Sequence, residues 1–180
     1  MTGIHWISTY GGRFIVLEES LLSKWHGFPD DGRDPLDTSH DYGRACALNG
    51  LAATLNVGEG VGLVFGENEC GGVWSRRAEL PILFEWIYAD SEDAVVSALS
   101  VVPDALEPDE TTEYSIGRGP LVVFDSAFAG VEFEPQHSHR FLIPAGDYLV
   151  ASTIYEPNDN TGLILHRFLA TNHHGIGSPH

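Results

Sequence analysis

Between two prolines, residues 81–103 read PILFEWIYADSEDAVVSALSVVP, and the hydrophobic period of this stretch changes partway along it. Ile82, Phe84, Trp86 and Tyr88 fall on one side and Leu83, Glu85 and Ile87 on the other, the two-residue period of a β-strand. Phe, Ile, Trp and Tyr also suit a pleated, half-buried surface. From Asp90, an N-cap residue type, the spacing becomes helical. Glu92 and Asp93 occupy a first turn, where the positive end of a helix favours carboxylates. Val95, Ala98, Leu99 and Val102 then form one apolar helical face, which Pro103 ends. A core strand followed by a short amphipathic helix, about 90–101, that folds back onto the sheet accounts for the whole stretch. Whatever else the chain builds must include a sheet with a helix against it.

The rest of the chain supplies mostly strands. His5 to Tyr10, the pair Gly11 and Gly12, and Arg13 to Leu17 suggest a first β-hairpin with a tight glycine turn. Ser20 to Trp25 suits one helical turn. Gly27 to His40 is rich in Pro, Gly and Asp, the composition of a surface loop. Asp41 to Leu48 makes a weak helix interrupted by Gly43. Within the glycine-rich segment Leu51 to Gly72, Val61 to Phe65 is the one clear strand. Gly60, Gly62 and Gly66 miss the spacing of a dinucleotide loop, and no helix follows, so these glycines are better explained by turns and bulges. Val73 and Trp74 begin another strand or anchor a loop. Asp104 to Glu113 has five acids in ten residues and no periodicity, as expected of an exposed connection. Pro120 to Phe124, Val131 to Glu134 and Arg140 to Ile143 are short apolar strands. Gly146 to Tyr155 alternates and pairs across PNDNTG with Leu163 to Leu169 as a hairpin. The expected fold is α+β, mainly β: an antiparallel sheet or sandwich carrying one amphipathic helix. Residues 1–170 form one domain, and residues 171–180 a flexible tail.

Charge narrows the range of partners. Twenty-six acidic against nine basic residues give a net charge of −17, with Lys24 the sole lysine. Such a surface repels nucleic acid and anionic lipid and attracts cationic partners. It also serves plain solubility. No apolar run approaches the roughly 18 residues of a membrane helix. The N-terminus lacks a basic start followed by an apolar core, so a cytoplasmic protein is expected, with Cys46 and Cys70 reduced.

Candidate chemistry is sparse. His137 and His139 would share a side of an extended chain, with Glu132 and Glu134 close in sequence, and His173, His174 and His180 could add to them. There is neither an H-E-x-x-H nor a C-x-x-C motif, and no metal or other cofactor is expected. Ser126 lies just after an apolar strand, but Phe124 and Phe128 stand where a nucleophile elbow requires glycines. Cys46 suits a buried small hydrophobe. Glu85, an acid in the middle of a strong strand, could be a general acid or base in a pocket. It could equally face solvent or pair with an arginine such as Arg140 or Arg167.

Four stretches together resemble a known family. They are W-I-S-T-Y-G-G (Trp6 to Gly12), D-Y-x-R-A-C (Asp41 to Cys46), W-x-Y-A-D-S-E-x-A-V (Trp86 to Val95), and G-x-Y-x-V with Y-E-P-N-D and L-H-R-F (Gly146 to Phe168). Their order and spacing resemble the immunity protein 21 family, bacterial proteins found beside polymorphic toxins. The resemblance implies a protein that binds and neutralises a cognate toxin domain, with no catalytic residues. Joined to the charge, it suggests an acidic surface that plugs a basic groove, such as that of a nuclease. The expected contacts are Asp30, Asp31, Asp34, Asp37 and Asp41 in one acidic segment and Glu107, Asp109, Glu110 and Glu113 in the other. The alternatives are a regulatory or assembly module on the same fold, and a metal-dependent enzyme using Glu85, His137 and His139.

Overall fold

The computed structural model describes residues 3–10, 12–66, 68, 70–75, 79–132 and 134–171. Its strands are β1 (Gly3–Ser8), β2 (Phe14–Glu18), β3 (Ala52–Val57), β4 (Gly60–Phe65), β5 (Cys70–Ser75), β6 (Ile82–Ala89), β7 (Glu110–Ile116), β8 (Leu121–Asp125), β9 (Ser138–Phe141), β10 (Gly146–Asn158) and β11 (Thr161–Ala170). The helices are α1 (Asp41–Cys46) and α2 (Glu92–Ser100), with 3₁₀ turns at Glu19–Lys24 and Pro135–His137. Two antiparallel sheets pair in the orders β1-β5-β6-β11-β10-β7 and β3-β4-β2-β8-β9. The fold is thus α+β and mainly β, as expected.

Alternation along the strands sorts side chains into three apolar layers. Between the sheets lie Leu83, Val150 and Phe168 from the first and Phe14, Leu63, Phe65 and Val123 from the second. On the outside of the six-stranded sheet, Ile82, Phe84, Leu163 and Leu165 meet Val95, Ala98 and Leu99 of α2. On the outside of the five-stranded sheet, Ile15, Leu17, Val122 and Phe124 are covered by Trp25 and Ala45. The strand-to-helix corner therefore folds as expected, except that Ser91 rather than Asp90 is the N-cap. Its hydroxyl accepts from the amide of Ala94 at 3.2 Å.

Four other expectations are corrected. β1 and β2 are not a hairpin: β1 pairs with β5 and β2 with β4 and β8, so the chain crosses from one sheet to the other between them. The crossing is held by Thr9 Oγ1 donating to the Gly12 carbonyl and by the Ser126 amide donating to the Arg13 carbonyl. Gly11, part of the expected turn, lies outside the described residues. The glycine-rich segment holds a second strand, β3, joined to β4 through Gly58, whose φ of +58° is the left-handed region that a two-residue turn requires.

The acidic stretch Asp104 to Glu113 is not wholly a connection either. From Glu110 it forms β7, an edge strand whose exposed carboxylates discourage further pairing. The strand expected from Val131 to Glu134 is also not found among the described residues, from which Phe133 is excluded: Val131 and Glu132 lie in a turn in which the Glu132 amide donates to the Ala129 carbonyl. The sheets are tied along both open sides. On one, Thr112 Oγ1 donates to the Ala52 carbonyl at 2.7 Å, bridging β7 and β3. On the other, the His5 ring bonds the Ser138 carbonyl at 2.9 Å, bridging β1 and β9.

Candidate binding surface

The first acidic segment is shaped by its own carboxylates. Asp31 accepts from the Arg33 amide and guanidinium, Asp34 from the Leu36 amide and Asp37 from the Ser39 amide, at 2.7–3.2 Å. These short-range bonds are how Asp residues build turns. The hydrogen bond from Arg33 holds the Asp31 carboxyl below its ordinary range, and the bond from the Ser39 amide does the same for Asp37. Asp41 opens α1, accepts from the His26 amide at 2.8 Å and pairs with Arg44 at 3.0 Å. His40 ties the segment to the helix: its Nδ1 accepts from the Gly43 amide, which leaves Nε2 to donate to the Asp34 carbonyl.

The second segment divides in the same way. Asp109 accepts from the Ile154 amide at 2.8 Å, and Glu110 accepts from the Leu51 amide at 2.7 Å, adding a second tie between the two sheets on the β7–β3 side. The carbonyls of Asp104 and Leu106 both receive the Arg167 guanidinium. Among the described residues, the exposed carboxylates of Asp30, Glu107 and Glu113 have no such internal role. The nine acids named from sequence thus comprise six that also shape the fold and three whose carboxylates face only solvent.

Glu85 is resolved differently from any option considered in the sequence. It is fully buried between the sheets, where Oε1 meets His166 Nε2 at 3.1 Å and Oε2 accepts from both nitrogens of Asn68. On the other side of the ring, His166 Nδ1 meets Ser152 Oγ at 2.8 Å. The serine–histidine–carboxylate order matches that of hydrolase triads. Here none of the three side chains reaches solvent, and Ser152 stands directly across from His166 in the β10–β11 ladder. A substrate has no approach to that hydroxyl, so the chain of bonds is a brace inside the core. The arginines considered as partners act elsewhere: Arg140 pairs with Glu19 and Arg167 holds the carbonyls above. Sequence reasoning passed over Ser152 and His166, although the alternation that places Val150 and Phe168 inward places both of them inward as well.

The other candidates also separate. His139 stacks on His5 with centroids 4.3 Å apart, whereas His137 turns to Ser8 and to Glu134. Among the described residues no three of His, Cys, Asp and Glu converge as a metal site would require. His173, His174 and His180 lie outside those residues, as does the expected tail from residue 172. Ser126 is buried, with its backbone carbonyl on the Trp25 indole and no partner on its hydroxyl among the described residues. Cys46 and Cys70 are unbridged, and burial raises both thiols above their ordinary range.

Burial, and then the neighbouring His5, lowers the pKa of His139. The unfolded chain therefore takes up this proton more readily than the folded one, and stability falls as pH drops through the ordinary histidine value of about 6.5. His139→Gln is expected to reduce the loss of melting temperature between pH 7.5 and pH 5.5. An equal loss in both proteins would show that the stacked pair does not govern it.

The structure is that of a two-sheet antiparallel protein with a helix on its outer face and acidic segments at its margins. The model of the immunity protein 21 family matches residues 5–161, and the chain belongs to that family. Comparison with curated proteins returns no match. Comparison with solved structures likewise returns none. Family membership implies an immunity protein with a toxin protein as its partner. Among the described residues no helix is long and apolar enough to cross a membrane.

Proposed function

We propose that this protein neutralises a cognate toxin domain by binding a basic surface of it, such as the substrate groove of a nuclease, through exposed carboxylates. Residues 1–170 act as one non-catalytic domain in the cytoplasm of the producing cell. The net charge of −17 carries this reading: four of its few cations, Arg33, Arg44, Arg140 and Arg167, are already engaged within the molecule. The field around the acidic segments therefore favours a cationic partner and speeds its encounter. Co-expression with the toxin domain encoded beside this gene should restore growth; a culture that stays inhibited despite soluble immunity protein argues against the proposal.

The nine acids should divide in experiment. Asp30→Asn, Glu107→Gln and Glu113→Gln together remove only carboxylates that face solvent. Three exposed pairs at about 0.5 kcal/mol each predict an affinity loss of about tenfold and a shallower salt dependence. Surface plasmon resonance over a salt series reads both. Unchanged affinity and slope would exclude these three carboxylates from the interface. Asp41→Asn and Glu110→Gln, in contrast, should lower thermal stability, because each deprives a backbone amide of a charged acceptor.

A further inference from the structure

We infer that Tyr10 is the anchor of a second contact surface, one that receives an arginine side chain of the toxin partner; the inference rests on the immunity function proposed above. Tyr10 is 75% exposed, the most exposed of the large apolar side chains among the described residues. Its position is nonetheless fixed. Its amide donates at 2.9 Å to Asp125 Oδ2, a fully buried carboxylate whose other oxygen accepts from the Ala127 amide. The Tyr10 ring stands edge-on to Phe128 at 5.8 Å and tilted over His137 at 6.0 Å. Glu134, exposed, reaches the far nitrogen of His137 at 3.7 Å. The result is an aromatic platform with a carboxylate at its rim, held by the crossing between the two sheets.

Each property bears on binding. A tyrosine whose backbone is clamped and whose ring already rests on its neighbours loses little freedom when a partner arrives. Buried tyrosines are prominent among the residues that dominate interface energies. A guanidinium both stacks on aromatic faces and pairs with carboxylates, and the patch offers the Tyr10 ring and Glu134, so arginine suits it better than the compact ammonium of lysine. A second copy of this chain is a poor occupant, because it would bring Glu134 and the rest of a −17 surface against themselves. The patch is separate in sequence from both acidic segments. It supplies shape and apolar contact, where they supply long-range attraction.

The test uses the full chain and the purified toxin domain from the adjacent gene, made inactive and titrated by calorimetry. Tyr10→Ala is expected to weaken binding about thirtyfold or more. Tyr10→Phe should stay near wild type, and Tyr10→Lys, which keeps a long exposed side chain but reverses the charge preference, should weaken binding at least as far as alanine. Glu134→Gln should weaken binding severalfold and reduce its salt dependence. Melting temperatures within a degree or two of wild type would establish that the variants are folded. Wild-type affinity in both Tyr10→Ala and Tyr10→Lys overturns the inference while leaving the immunity reading intact. Absence of binding by the wild-type protein overturns both. A Tyr10-dependent dimer in light scattering would overturn it in favour of self-association.

Discussion

Glu85→Ala is expected to destabilise the folded protein by about 2–5 kcal/mol, because it leaves buried hydrogen-bond donors without their acceptor and opens a cavity in the core. The geometry explains why the loss is large. The carboxylate serves His166 on one oxygen and both nitrogens of Asn68 on the other, in a place no water reaches. Removing it strands a ring nitrogen and leaves the Asn68 donors without that acceptor. Against a total stability of about 5–15 kcal/mol, the variant sits close to unfolding at growth temperature. Ser152→Ala should be far milder, about 1 kcal/mol, because it removes one hydrogen bond from the end of the chain of bonds. The triple variant Glu85→Leu, Ser152→Ala, His166→Leu should recover the part of the alanine loss that comes from His166, since it strands no polar partner within the trio, while the Asn68 donors still lose this acceptor. Urea denaturation of the three proteins measures this. A Glu85→Ala loss below about 1 kcal/mol would mean that the trio contributes little, whatever its geometry.

Gly43→Ala should also be damaging, although alanine is the better helix former. A Cβ at position 43 would stand 2.0 Å from the Asp37 carbonyl oxygen and 3.1 Å from His40 Cε1. The acidic segment is pressed against α1 at this point, and a backbone carbonyl cannot rotate away as a side chain can. Overpacking of this kind costs about 1–3 kcal/mol. The strain should be relieved by lifting the segment that carries Asp30, Asp31, Asp34 and Asp37. Amide hydrogen exchange is therefore expected to rise locally over residues 30–41, with little change in the β10–β11 hairpin. Unaltered exchange across that segment would indicate that the helix, and not the loop, gives way. The same variant should bind the toxin more weakly if the first acidic segment contributes to the interface.

Glycine at position 43 also shows where sequence reasoning reached its limit. Its helix was legible from Asp41 to Leu48, and the glycine counted against it, because intrinsic propensity knows nothing of a loop folded back onto the helix. The strand-to-helix corner at 82–100 and the final hairpin were legible because their apolar periods are long and their partners adjacent. The hairpin assigned to β1 and β2 failed for the opposite reason. Two strands flanking Gly11 and Gly12 satisfy hairpin chemistry, yet β1 finds β5 and β2 finds β8, and local sequence does not specify either pairing. β7 was hidden because an edge strand need bury only one face, and its first four residues, Glu110 to Glu113, are polar. The buried trio was written in the alternation of three strands, as polar residues at inward positions. It becomes readable only once β6, β11 and β10 are known to lie side by side. The acidic segments were visible as composition, but the division of their carboxylates between folding and solvent depended on contacts with distant backbone amides.

The crossing of the chain between sheets also bears on when protection begins. Phe14 pairs with Asp125 and Ile82 with Arg167, so early strands wait for partners from much later in translation. Topologies dominated by such long-range pairing typically fold in about milliseconds to seconds, and a chain emerges at roughly 5–20 residues per second. For this fold the ribosome sets the pace: neither sheet is complete until its late strands are released, and β11 joins two halves of the larger one. A half-made copy offers the toxin no finished surface. On the function proposed above, protection with this topology therefore rests on completed molecules and not on chains still being made.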